Sequence, residues 1–148
     1  MSTLNSGAKV RELALGRGPV STATGTLDED VTPTLFTVAG GEVLITALWA
    51  KVTTTITVAN TVTIQANPTT GDTSPIVAGD LGTTDTAAGT VLGWEPDSAA
   101  FTRNGPPASA VVSTGTVEID SNGTNVDGAM TVYCTWLPLT NGATLVAG

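Results

Sequence analysis

Threonine alternates with apolar residues along much of this chain, and that alternation limits what it can fold into. In Thr61-Val62-Thr63-Ile64-Gln65-Ala66 and in Met130-Thr131-Val132-Tyr133-Cys134-Thr135-Trp136, every second side chain is apolar. A period of two places one set of side chains on one face of an extended strand and the other set on the opposite face. Of the 148 residues 29 are threonine, and β-branched side chains, stiff at χ1, favour the pleated strand over the helix. The pattern predicts an all-β chain whose hydroxyls take the outward positions that charged groups usually fill.

Two strands are expected over residues 35–39 and 43–50, with Gly40-Gly41 as the tight turn of a hairpin. On the second, Val43, Ile45, Ala47 and Trp49 share one face, and Leu44, Thr46, Leu48 and Ala50 the other. Both faces are largely apolar, which points to a central strand. Residues 53–66 continue the alternation, interrupted near Ala59-Asn60-Thr61 by a turn or a bulge. Residues 67–109 are broken by Gly, Pro, Asn and Asp every few positions, with short strands expected at 75–78 and 90–94. Strands follow at 110–120 and 129–139, joined by a polar hairpin, and a last short one at 143–146. About eight short strands separated by turn signals predict one antiparallel β-sandwich or small jelly-roll-like barrel. Residues 1–30 read as an extended N-terminal arm and lead-in, and residues 31–148 as a single domain with a loop-rich insertion at about 67–109.

Composition removes whole classes of chemistry. The chain has no histidine and one cysteine, so Ser-His-Asp and Cys-His arrangements are impossible and the ligands of a zinc site are missing. Cys134 lies in an apolar run and is expected to be a small buried hydrophobe. Lys and Arg number 5 against 13 Asp and Glu, the wrong footprint for nucleic acid. Mean hydropathy is +0.23, yet no stretch of about 18 apolar residues occurs, so no membrane segment is expected. The first residues lack the apolar region of a secretory signal, and export by that route is not expected. Three of the cations, Lys9, Arg11 and Arg17, crowd into the first seventeen residues, as a basic arm meeting an acidic partner would.

The acidic clusters read as scaffold. Adjacent carboxylates in Asp28-Glu29-Asp30 diverge and suit a solvated loop. The series Asp120, Asn122, Thr124, Asn125, Asp127 resembles part of a calcium loop, but it lacks the glycine at the sixth position and the bidentate Glu at the twelfth. Glu95 and Asp97 are spaced like a glycosidase pair, roughly 6–7 Å apart on an extended segment, but few aromatics accompany them. Gly16-Arg17-Gly18-Pro19 is no phosphate cradle, because no Lys-Ser/Thr follows. No catalytic, cofactor or metal site is therefore expected. Trp49 and Trp136, each late in an apolar strand, are expected as core pillars. Trp94, in the irregular region, is expected as an exposed contact residue.

Particular runs resemble a known family. Thr34-Leu35-Phe36-Thr37-Val38-Ala39-Gly40-Gly41-Glu42-Val43-Leu44-Ile45-Thr46-Ala47-Leu48-Trp49 is similar to a run in small structural proteins of tailed bacteriophages. So are Trp136-Leu137-Pro138-Leu139-Thr140-Asn141-Gly142-Ala143 and the pieces around Asn67-Pro68-Thr69 and Ala88-Gly89-Thr90. The resemblance spans about residues 31–148 and departs at Thr140-Asn141, where the family tends to carry two Asp. It implies a capsid decoration protein on the outer head surface, made in the host cytoplasm and partnered by the major capsid protein. A homotrimer is implied. From the charge asymmetry and the irregular region, and not from the resemblance, Lys9, Arg11, Arg17 and Trp94 are the expected subunit or capsid contacts. The alternative is a tail or receptor-binding module whose 67–109 loops touch the host.

Overall fold

The computed structural model describes residues 6–81, 85–95, 100–122 and 127–148, and only the backbone of residues 95, 100, 102 and 103. A short helix, α1 (Gly7–Leu15), precedes eleven strands. These are β1 (Arg17–Thr26), β2 (Thr34–Ala39), β3 (Val43–Thr54), β4 (Thr61–Pro68), β5 (Ser74–Asp80) and β6 (Val91–Glu95). They continue with β7 (Ala100–Arg103), β8 (Ala108–Val112), β9 (Gly115–Ser121), β10 (Ala129–Pro138) and β11 (Thr144–Ala147).

Two antiparallel sheets pack face to face as a β-sandwich, and no barrel closes. Sheet A runs β1-β10-β3-β6-β7, with β8 also paired to β3, and sheet B runs β11-β2-β9-β4-β5. The alternation foreseen in the sequence is the alternation observed. Val62, Ile64 and Ala66 on β4 point into the core with Val117 and Ile119 on β9. Met130, Val132, Cys134 and Trp136 on β10 do the same from sheet A. The expected short strands within 67–109 are present as β5 and β6.

Three expectations are corrected by the topology. β2 and β3 are not a hairpin: β2 pairs with β11 and β9, whereas β3 pairs with β10, β6 and β8. Gly40 and Gly41, at φ 76° and 133°, instead carry the chain from sheet B to sheet A. A Cβ on Gly41 would sit 2.4 Å from the Thr140 side chain, so only glycine fits the crossing there. Residues 110–120 are not one strand, because β8 belongs to sheet A and β9 to sheet B. Likewise β9 and β10 lie in different sheets, so they do not form the hairpin expected.

The expected 1–30 arm is much shorter than foreseen. Residues 17–26 are already an edge strand, in register with β10 from Arg17↔Trp136 to Thr26↔Ala129. What stands outside the sandwich is α1. Its residues include the strong helix formers Ala, Lys, Arg, Glu and Leu, the Ser6 side chain caps it by accepting from the Lys9 amide, and Gly16 ends it.

Candidate interaction face

The outer face of sheet A is set by one irregularity. Opposite β10, Thr135 pairs with Ala47 and Trp136 with Ile45, which leaves Thr46 without a partner. This bulge reverses the parity of everything after it. Leu48, Ala50 and Val52 turn into the core, and Trp49 turns outward. The expectation of Trp49 as a core pillar is thereby corrected, while Trp136 is buried as expected at 5% exposure. Trp49 stacks on Tyr133 across the strand pair, with ring centroids 5.5 Å apart and planes 8° from parallel.

Around this pair the face is apolar and hydroxylic. Val111 lies opposite Leu44, and Leu44 opposite Leu137. Val91 lies opposite Lys51, Lys51 opposite Thr131, and Thr131 opposite Ala23. Val111 is 61% exposed and Val91 40%. Among the described outward side chains of β1, β3, β8 and β10 there is no carboxylate. The outer face of sheet B differs, with Asp80, Glu118 and Asp120 on its strands and no cation.

Helix α1 rests on one end of the sheet A face. Its flanks and the outward Thr135 and Leu137 form two clefts of about 490 and 390 Å³. Arg11 and Leu15 line the first, and Lys9 and Leu13 the second. The seat is Gly16, at φ 84° and ψ 173°, a region essentially closed to other residues. A Cβ there would come within 2.7 Å of Thr46 Oγ1 and 3.1 Å of the Trp136 backbone. Thr46 Oγ1 lies 2.7 Å from Thr135 Oγ1 and donates to the Leu15 carbonyl at 3.4 Å. The residue that makes the bulge therefore also holds the end of the helix.

The structure brings Lys9, Arg11 and Arg17 together at this end. Arg17 Nε donates to Glu12 Oε1 at 2.8 Å, and its guanidinium lies 4.8 Å from the Trp136 ring centroid. Lys9 and Arg11 are exposed, and neither forms an ion pair with a described residue. No side chain of α1 is buried, and Val10, Leu13 and Leu15 are each more than half exposed. A helix of nine residues is marginal in water by itself. Burial of these side chains, at about 1.5–3 kcal/mol each, is the stabilisation it lacks.

Trp94 is not part of this face. It shares the inward parity of Leu92 on β6 and packs, partly buried, against the core, so the ring is not the fully exposed one expected. Its Nε1 is buried without a hydrogen-bond partner among the described residues. The face's central elements, the Trp49–Tyr133 stack and Lys51, were missed by the sequence reading because periodicity carries no sign of the bulge. The outward set Thr131, Tyr133, Thr135 and Leu137 on β10 was legible from alternation alone.

The acidic clusters behave as scaffold where they are described. Asp28 Oδ1 accepts from the Asp30 amide in a tight turn. Asp127 Oδ2 accepts from the amides of Thr57 and Val58 at 2.5 and 2.8 Å, which hold its carboxyl below the usual range. Asn122 Oδ1 accepts from the Thr61 amide. Thr124 and Asn125 of the calcium-like series lie outside the described residues, as do Asp97 and the Glu95 side chain of the carboxylate pair. Cys134 is fully buried, and desolvation pushes its thiol up to about 12.

No family model, curated protein or solved structure matches the chain. Among the described residues no helix is long and apolar enough to cross a membrane.

Proposed function

We propose that this chain is a structural protein of a tailed bacteriophage virion, a decoration protein that binds the outer head surface as a homotrimer and stabilises the shell. The observation that carries the proposal is the outer face of sheet A, with α1 seated on it. Apolar and hydroxylic side chains there cost less to desolvate against a neighbour than charged ones would, and α1 gains its missing burial only on contact. The resemblance of residues 34–49 and 136–143 to phage structural proteins supplies the kind of neighbour. The mechanism is additive: each copy bridges adjacent shell subunits, and the buried area opposes their separation under internal genome pressure.

Add-back tests this reading. Heads of the encoding phage assembled without the protein are mixed with the purified chain, sedimented, and the copies per head counted. Hundreds of copies and heads that survive higher temperature support decoration. No binding to heads, or a handful of copies per virion, removes the proposal in favour of a tail position.

A further inference from the structure

The charges of this chain are segregated. All five cations, Lys9, Arg11, Arg17, Lys51 and Arg103, fall on α1 or on strands of sheet A. Those elements carry two carboxylates, Glu12 and Glu95, and the other eleven fall outside them. Among the described side chains, α1 and the strands of sheet A carry Lys9, Arg11, Arg17 and Lys51 against Glu12 alone, in a chain of net charge −8.

We infer that the α1–sheet A face docks on an acidic protein surface, and that the charge segregation orients the molecule as it lands. The inference rests on the head reading for the identity of that surface, and names its chemistry and the face that meets it. An acidic surface repels sheet B and the acidic loops, so only the side bearing Lys9, Arg11 and Lys51 approaches without a penalty. Opposed fields of this kind raise association rates and suppress wrong orientations. Lys51 stands beside the Trp49–Tyr133 stack, roughly 13 Å along β3 from Ala47 and the α1 end of the face. The cations therefore bracket the apolar patch, an arrangement in which polar groups orient and a dry centre holds. Arg17 is already engaged by Glu12, so among the described side chains Lys9, Arg11 and Lys51 are the cations left to meet partner carboxylates.

The test reverses these charges in the full-length chain. Lys9, Arg11 and Lys51 are exposed, so K9E/R11E/K51E should fold with the wild-type thermal midpoint, checked by circular dichroism. Association with heads should slow about tenfold or more in the triple variant. The wild-type rate should fall with added salt, and the variant's rate should lose that fall. Asp120→Lys, on sheet B, should bind heads as fast as wild type or faster. A second arm needs no heads: at low salt the wild type, despite its net negative charge, should be retained on immobilised polyglutamate, and the triple variant should not. Wild type that binds polyglutamate but not heads removes the head reading and leaves the face standing. Equal retention of both proteins on polyglutamate, or head binding lost in D120K and kept in the triple variant, overturns the inference. Self-association that vanishes in the triple variant, with no head binding, assigns the face to a second copy and also overturns it.

Discussion

Deleting Thr46, without replacing it, should cost far more than substituting it. The deletion removes the unpaired residue that lets Ile45 and Leu48 both point inward. With the bulge gone, Leu48, Ala50 and Val52 face solvent and Trp49 faces a core built for smaller side chains. The lost burial of one Leu, one Val and one Ala is about 4–7 kcal/mol, comparable to the whole stability of an ordinary domain, about 5–15 kcal/mol. Thr46→Ala keeps the bulge and loses chiefly the hydroxyl pair with Thr135 and the bond to Leu15, about 1 kcal/mol. Guanidinium unfolding followed by tryptophan fluorescence reads both variants. The deletion should unfold at far lower denaturant, or fail to fold, while T46A shifts modestly. A deletion variant within about 1 kcal/mol of wild type would refute the parity argument.

Three further outcomes follow from particular contacts. Gly16→Ala should destabilise by about 1–3 kcal/mol, because its Cβ meets Thr46 and the Trp136 backbone in a conformation closed to alanine; a neutral effect on thermal midpoint would mean α1 is not seated as described. Asp127→Asn should destabilise at neutral pH, because the lowered carboxyl is charged in the native state and bound by two amides. That contribution is fully present above the unfolded value of 3.8 and lost as pH falls through the lower native value. Denaturation curves from pH 7 to 2 should therefore converge for the two proteins, and a constant gap would contradict the assignment. Cys134 should resist a thiol reagent in the native state and react fully in denaturant; rapid native labelling would show that the β10 face is not buried.

The layered all-β architecture was legible because period-two alternation survives wherever strands are regular, as in β4 and β10. Connectivity was not. Gly40-Gly41 reads equally well as a hairpin turn or as a crossing between sheets, and only the partners of β2 and β3 decide which. Residues 110–120 look continuous because β8 and β9 keep the same composition across the break at Ser113-Thr114. The basic residues of the arm were visible in the sequence, but their surroundings were not. A nine-residue helix gives too short a pattern to stand out, and Arg17 belongs to a strand paired with residues more than a hundred positions away. Trp94 and Trp49 exchanged their expected places for one physical reason, the parity of the strand that carries each. Alternation from Leu92 would have placed Trp94 inward, whereas nothing in the sequence marks the bulge that turns Trp49 out.

Hydrogen-exchange protection of the full-length protein, free and bound to heads, tests the central claim most directly. The account predicts new protection in peptides covering α1 and the start of β1, the 44–51 segment of β3 and the 131–137 segment of β10, with β4, β5 and β9 unchanged. Protection confined to β4, β5 and β9, or to the loops between β4 and β8, would place the docking surface on another side of the sandwich and contradict it.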